Sequence, residues 1–317
     1  MRWAIVGAGA MGSTFGGYLA LAGHRVVLVD VREDHVRAVR ERGLELRRPG
    51  GEDVVVELDA TTDPPRDVDA VDVALFLCKG WATVDAARSI AHALGPESWA
   101  VTVQNGLGND RRLAEVLGVS RVVPGTTTVG AMSEAAGVVA AAPGTVEGRS
   151  LTQLGPPRGS SAVPDAVHAI AAALTAAGLP AEALDSADVV IWTKVAMAAS
   201  MGCLTAVLRR TVADVVDDPT AWELWTDVFE EVVAVARASG VELDADALLA
   251  HCRETYAAVG HHTTSMAADV VAGRRTEVDS LALEVARRGR EVGVPTPVTD
   301  TVGRLIAALE GSYERAL

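Results

Sequence analysis

Lysine is nearly absent from this chain of 317 residues: its 28 basic residues comprise 26 arginines and only two lysines, Lys79 and Lys194. Guanidinium serves wherever a generic positive charge is needed, so a remaining lysine is either a chance retention or marks a place where a compact ammonium able to give up a proton is needed; the surroundings of both favour the second reading. Cysteine is scarce too. Cys78, Cys203 and Cys252 are odd in number and lack C-x-x-C spacing, which excludes a disulfide framework and leaves small buried hydrophobes of a reducing compartment. The formal charge is −14 without any basic block, so neither nucleic acid nor an anionic membrane surface is an expected partner. No stretch approaches a membrane-spanning length, and strand-like sequence from residue 2 leaves no room for a signal peptide, so a cytoplasmic location is expected. Metal is not expected either. The His261-His262 pair, read as lying on a helix, would point its rings about 100° apart, and Ala258, Ser265 and Met266 at helical spacing are poor ligands.

What is present begins at the N terminus. The apolar run Arg2 to Val6 reads as a strand and opens into Gly7-Ala8-Gly9-Ala10-Met11-Gly12, a G-x-G-x-x-G. A helix follows to Ala22, Gly23 stops it, and a second strand from Arg25 to Val29 closes on Asp30. That order within one βαβ length predicts a dinucleotide-binding Rossmann unit: Gly7 for the tight turn, Gly9 for backbone approach to the pyrophosphate, Gly12 for close packing of helix on strand. The helix N terminus at Ala10, Met11 and Gly12 then turns its N–H groups to the phosphates. Asp30 stands where a carboxylate bonds a ribose 2′-OH, which favours NADH over NADPH; Arg32, two residues on, could instead hold a 2′-phosphate. The cofactor expected is NAD(P)H, with NADH preferred.

The length exceeds one typical core, so two domains are expected. Residues 1–184 read as a doubly wound, mostly parallel α/β sheet. The run Val71 to Leu77 suits a strand buried on both faces, and Lys79 lies just past its carboxyl edge, where open α/β sheets bind ligands. A helix over Thr83 to Leu94 leads to a strand, Trp99 to Val103, that ends in Gln104-Asn105-Gly106-Leu107-Gly108. Asn105, one of two asparagines, can bond ribose and substrate oxygens or serve as a turn residue with Gly106. One or two strands are expected within 44–58, another over 121–124 with 125–130 as its loop, and antiparallel strands at the sheet edge over 137–154; Asp165 to Ala177 reads as an amphipathic helix. In residues 185–317 strand signals vanish. Helices are expected over 188–209, 219–239, 244–272, 276–292 and 299–310, an all-helical second domain.

Lys194 sits in the very apolar helix Val189-Val190-Ile191-Trp192-Thr193-Lys194-Val195-Ala196-Met197. It either snorkels to solvent or is buried with a partner, and burial would lower its pKa until it can act as a general acid near neutrality. Taken in order, GAGAMG, Lys79 of CKGW, Asn105 of QNGLG, the loop GTTTVGA, Lys194 of WTKVAM, TSM with Ser265, and RRTEVD with Glu277 resemble the ketopantoate reductase family (2-dehydropantoate 2-reductases) over nearly the full length. The resemblance implies NAD(P)H-dependent reduction of a 2-oxo acid to a 2-hydroxy acid in a cleft between a Rossmann domain and a helical domain. It also implies roles: Lys194 protonates the carbonyl oxygen, Glu277 binds substrate and holds that ammonium, Ser265 helps bind the carboxylate, and Lys79 and Asn105 line the cofactor and substrate cleft. Helical second domains of this kind often form homodimers. The plainer readings are a helix-surface Ser265 and a solvated Glu277 paired with Arg274 or Arg275.

One departure from the family pattern bears on the substrate. The lysine is typically followed one and two turns later by asparagines that contact substrate; here Ala198 and Gly202 stand there, with Met197 and Met201 beside them. Each buried hydrogen bond lost weakens recognition by about 0.5–1.5 kcal/mol, so a 2-oxo acid larger or more apolar than ketopantoate is expected to fit. The alternatives are a β-hydroxyacid or imine reductase of similar build, and a dinucleotide-binding sensor without turnover. Intact Lys194 and Glu277 argue against the sensor, because a non-catalytic binder has no evident need for a buried acid.

Overall fold

The computed structural model describes residues 1–142 and 151–313. It divides into two compact units: Met1–Gln104 with Asn109–Ala187, and Asn105–Gly108 with Asp188–Leu317.

The first unit is built on strands β1 (Arg2–Val6), β2 (Arg25–Val29), β3 (Leu44–Arg47), β4 (Val54–Val56), β5 (Asp59–Thr61), β6 (Val71–Phe76), β7 (Leu94–Thr102), β8 (Val122–Thr127), β9 (Ala131–Ala135), β10 (Val138–Ala141), β11 (Thr152–Leu154) and β12 (Ala181–Ala183). Eight of these form one sheet in the order β12-β11-β8-β7-β6-β1-β2-β5. The run from β8 to β5 is parallel throughout, and β11 pairs antiparallel with β8 at the far side. Strand order reverses between β1 and β6, which is where doubly wound sheets open a ligand crevice beyond their carboxyl ends. Ala4, Ile5, Ala74 and Leu75 of these central strands are wholly buried, as a sheet covered on both faces requires. The covering helices are α1 (Ala10–Leu21), α2 (Glu33–Arg42), α3 (Pro64–Asp67), α4 (Thr83–Ile90), α5 (Asn109–Leu117) and α6 (Asp165–Ala176).

Two expectations about this unit need correction. Of the antiparallel strands expected at the sheet edge over 137–154, β11 does pair antiparallel with β8, but β10 leaves the main sheet and joins β3, β4 and β9 in a separate four-stranded sheet in the order β4-β3-β10-β9. Its inner residues Leu44 and Leu46 pack on α1, where a Cβ on Gly17 would stand 3.2 Å from each leucine's Cδ2, so the helix lies between two sheets. The segment 125–127 is not loop but the end of β8, held by pairing with β11. The part of 137–154 beyond Ala142 and before Leu151 lies outside the described residues.

The second unit is helical: α7 (Asp188–Leu208), α8 (Val212–Val216), α9 (Pro219–Ala238), α10 (Ala245–Val259), α11 (Ser265–Val271), α12 (Ala282–Val292) and α13 (Pro297–Glu310). Contrary to expectation, α7 is long and apolar enough to cross a membrane by length and composition; its Val195, Ala199, Met201 and Leu204 instead lie inside this unit's core. Around it Trp225 stacks on Trp222 and Phe229 at 4.5 and 4.9 Å, with Tyr256 edge-on. The helix expected over 244–272 is two helices, because Gly260 takes a positive φ of 55° and Thr264 caps a new start by accepting from Ala267 N–H. His261 and His262 therefore lie in a linker rather than on a helix, and His261 Nδ1 is 3.2 Å from Thr211 Oγ1. The helix expected from 276 begins only at Ala282; residues 276–281 form turns.

Candidate active site

In the first unit the three motif glycines meet three different constraints. Gly7 has φ +96°, and a Cβ there would stand 2.3 Å from Cys78 N, so the turn leaving β1 is pressed on the end of β6. Gly12 is packed against the turn itself, with Gly7 O 2.0 Å from the position of a Cβ. Around Gly9 a Cβ would meet nothing within 4 Å. Gly7 and Gly12 are thus spent on packing, and Gly9 leaves open space beside the N terminus of α1. The first bond of that helix runs from Ser13 N to Gly9 O at 2.9 Å, so the N–H groups of Ala10, Met11 and Gly12 precede the helical ladder and can receive an anion. A dinucleotide's pyrophosphate fits this cradle.

At the end of β2, Asp30 accepts from Arg32 N–H at 2.9 Å, which orients its carboxylate. The Arg32 guanidinium pairs with Asp34 at 3.1 Å across solvent, a pair weak enough to be displaced. Lys79 follows β6, half-buried, and its carbonyl accepts from Ala82 N–H. One residue that the sequence reading passed over holds this segment: buried Gln104 donates to the Cys78 carbonyl (2.7 Å) and to Thr83 Oγ1 (2.9 Å), and accepts from Thr102 Oγ1 (2.9 Å). Its place at the end of a buried strand beside Asn105 was the available signal.

In the second unit Lys194 lies on α7 between buried Trp192 and Val195. Burial pushes its pKa down to about 8, against the opposing pull of the Glu277 charge, which favours the ammonium. Glu277 is itself nearly buried. Arg274 is engaged by Asp269 and Arg275 by Asp279, while the field of Glu277 acts on Lys194. The turn that carries Glu277 is clamped at both ends. Glu310 Oε1 accepts from both Thr276 N–H (2.7 Å) and Thr276 Oγ1 (2.5 Å). At the other end the Ser280 carbonyl accepts from Leu107 N–H at 2.7 Å, and Gly106 approaches so closely that a Cβ would stand 2.1 Å from that oxygen. Asn105 therefore belongs to the same unit as Glu277 and Lys194.

Beyond Lys194 the helix is not regular. Over Ala198–Gly202 it widens to a π turn, which carries one more residue than an α turn and displaces later positions around the helix. Ser200 Oγ donates back to Ala196 O at 2.5 Å, a bond that perturbs helices, and the Tyr256 hydroxyl lies 3.5 Å from Met197 O. The expected simple stacking of Ala198 and Gly202 above Lys194 is thus broken at Gly202. At Gly202 an added Cβ would have only Met266 Cβ near it, at 4.0 Å. Ser265 is exposed as the first residue of α11, and the preceding Thr264 hydroxyl lies 2.7 Å from Thr205 Oγ1 of α7.

The chain matches the family model for ketopantoate reductase PanE/ApbA over residues 3–156 and the model for its C-terminal part over residues 187–310. A 2-dehydropantoate 2-reductase of Halobacterium salinarum is 32% identical over 307 residues, covering 96% of this chain and 98% of its own. One from Pyrococcus abyssi is 29% identical over 321 residues, 98% of this chain and 99% of its own. Among solved structures, a D-mandelate dehydrogenase with NADH and anilino(oxo)acetate superposes with a TM-score of 0.91 at 27% identity, covering 99% of this chain and 100% of that one. A PanE/ApbA family ketopantoate reductase from Ralstonia eutropha JMP134 gives 0.88 at 30% identity, again over 99% and 100%.

Proposed function

This chain belongs to the ketopantoate reductase family, and from that premise we propose that it reduces a 2-oxo acid bearing an apolar substituent larger than that of ketopantoate, with Lys194 as the proton donor. The observation that carries the proposal is the desolvated ammonium of Lys194 beside Glu277 on an otherwise apolar helix, with a pKa of about 8. A nicotinamide, when bound, would supply the hydride for the ketone carbon. Charge then builds on the ketone oxygen, and a positioned ammonium both stabilises that charge and ends as the donor of the hydroxyl proton. Glu277 keeps Lys194 protonated at neutral pH. Ser265 and Asn105 bind substrate oxygens, and Lys79 lies along the cofactor. Residues 1–184 hold the dinucleotide and residues 185–317 the substrate.

Support for the apolar substituent comes from α7, where Ala198 and Gly202 bring no amide and the neighbour facing buried Gly202 is the apolar Met266. The D-mandelate dehydrogenase neighbour, solved with an anilino-substituted oxoacetate, makes an aryl 2-oxo acid the first compound to try. Asp30, oriented by Arg32 N–H, supports NADH over NADPH. Steady-state kinetics on aryl, branched-chain and hydroxylated 2-oxo acids decide the matter: the highest kcat/KM is expected for an aryl or branched acid, and ketopantoate at the top of the series would defeat the proposal.

A further inference from the structure

The glycine turn is backed by a buried histidine for which the reduction itself has no use. His35 on α2 is 1% exposed, and Ser13 on α1 is fully buried. Gly137 N–H, from the turn between β9 and β10, donates to His35 Nδ1 at 3.1 Å. That bond leaves Nε2 as the protonated nitrogen. Nε2 lies 3.0 Å from Ser13 Oγ and donates to it, and Ser13 Oγ donates in turn to the carbonyl oxygen of Ala8 at 2.9 Å. Burial, together with the Arg32 charge, holds the imidazole pKa below its ordinary value of 6.5, which keeps the ring neutral and the relay directed from the second sheet to the motif.

The Ala8 carbonyl shares one planar peptide with Gly9 N–H. In a trans peptide the two point in opposite directions, and every described peptide here is trans. Fixing the carbonyl inward on Ser13 therefore turns Gly9 N–H outward, at the residue whose surroundings are open. The orientation of this peptide turns on Ala8 ψ and Gly9 φ, and glycine at the second leaves it little torsional preference of its own. A flipped peptide would offer a carbonyl where a phosphate needs a donor, so its orientation depends on an outside hold.

We propose that Ser13 and His35 are positioning residues for the dinucleotide, locking the Ala8–Gly9 peptide with its N–H toward the pyrophosphate. The proposal rests on the cofactor reading of the glycine turn. Its test is NADH affinity by fluorescence titration, with kcat at saturating NADH and KM for the 2-oxo acid measured alongside. Ser13→Ala is expected to raise the NADH Kd about three- to tenfold, the worth of one net hydrogen bond, with kcat and the oxo acid KM unchanged. His35→Gln, whose amide reaches the Nε2 position, should stay near wild type, whereas His35→Asn, too short to reach Ser13, should bind NADH as weakly as Ser13→Ala. Unchanged affinity in Ser13→Ala, or equal affinities in the two His35 variants, overturns the proposal. The His35 pair decides it should Ser13→Ala fail to fold. Wild-type protein that does not bind NADH would bring down the cofactor assignment and this inference together; binding by wild type with unchanged affinity in Ser13→Ala removes this inference alone.

Discussion

Carrying the reduction above neutral pH exposes Lys194 to titration. Its pKa is pushed from an ordinary 10.5 to about 8 by burial, with Glu277 pulling the other way. Ketone reduction needs the ammonium, and kcat/KM reports the free enzyme's acid. The profile should be level below about pH 7, halve near pH 8 and fall about tenfold for each further unit of pH. A solvated lysine would show no loss before about pH 10. Oxidation of the 2-hydroxy acid needs the neutral amine and should rise through the same range. Glu277→Gln removes the charge that favours protonation, so the descending limb moves to lower pH. The sign extends to stability. Because the folded pKa is lowered, the unfolded chain binds more protons between about pH 8 and 10.5, and stability rises with pH across that window. Below it the charged lysine costs about 3 kcal/mol, so Lys194→Met should melt higher than wild type at pH 7. Initial rates at low 2-oxo acid and saturating NADH provide the profile. A level kcat/KM through about pH 9.5, or a limb that moves upward in Glu277→Gln, would refute the reasoning.

Other residues make separate demands. Glu310→Ala removes both bonds to Thr276 and should lower kcat/KM about tenfold as the turn carrying Glu277 loosens, whereas Glu310→Gln should retain most activity, since both bonds end on one oxygen; steady-state rates on the pair check this. Gly106→Ala places a methyl 2.1 Å from Ser280 O at φ +89° and should destabilise the protein by about 2–4 kcal/mol in a thermal melt. Ala198→Asn with Gly202→Asn should raise kcat/KM for ketopantoate relative to an aryl 2-oxo acid by about tenfold, the worth of one or two buried hydrogen bonds; an unchanged ratio would remove these positions from substrate recognition. Asp30→Ala should raise NADPH use relative to NADH, measured as the ratio of the two kcat/KM values, and an unmoved ratio would dismiss Asp30 as the selector.

The glycine motif was legible because each of its glycines answers a local demand: Gly7 a positive φ, Gly12 a close approach, Gly9 open space. Lys194 stood out because the rest of the chain avoids lysine. What the sequence did not disclose was non-local. The alternation of β3, β4, β9 and β10 is the same whether they extend the main sheet or form their own, and only packing on α1 separates the cases. The segment 276–281 has the composition of a first helical turn, but Glu310, far along the chain, captures Thr276 and holds it as a turn. The π turn after Lys194 has no signature in the run from Ala196 to Gly202, where Ser200 alone is polar and bonds back to the helix. Likewise Gln104 and His35 read as ordinary residues until their partners on other elements are known.

Replacing the lysine tests the proposed chemistry at its source. In Lys194→Ala, NADH oxidation driven by the best 2-oxo acid should fall by about a hundredfold or more, while NADH affinity stays within twofold of wild type. Turnover within about tenfold of wild type, or loss of NADH binding in step with loss of turnover, would contradict the assignment of Lys194 as the proton donor.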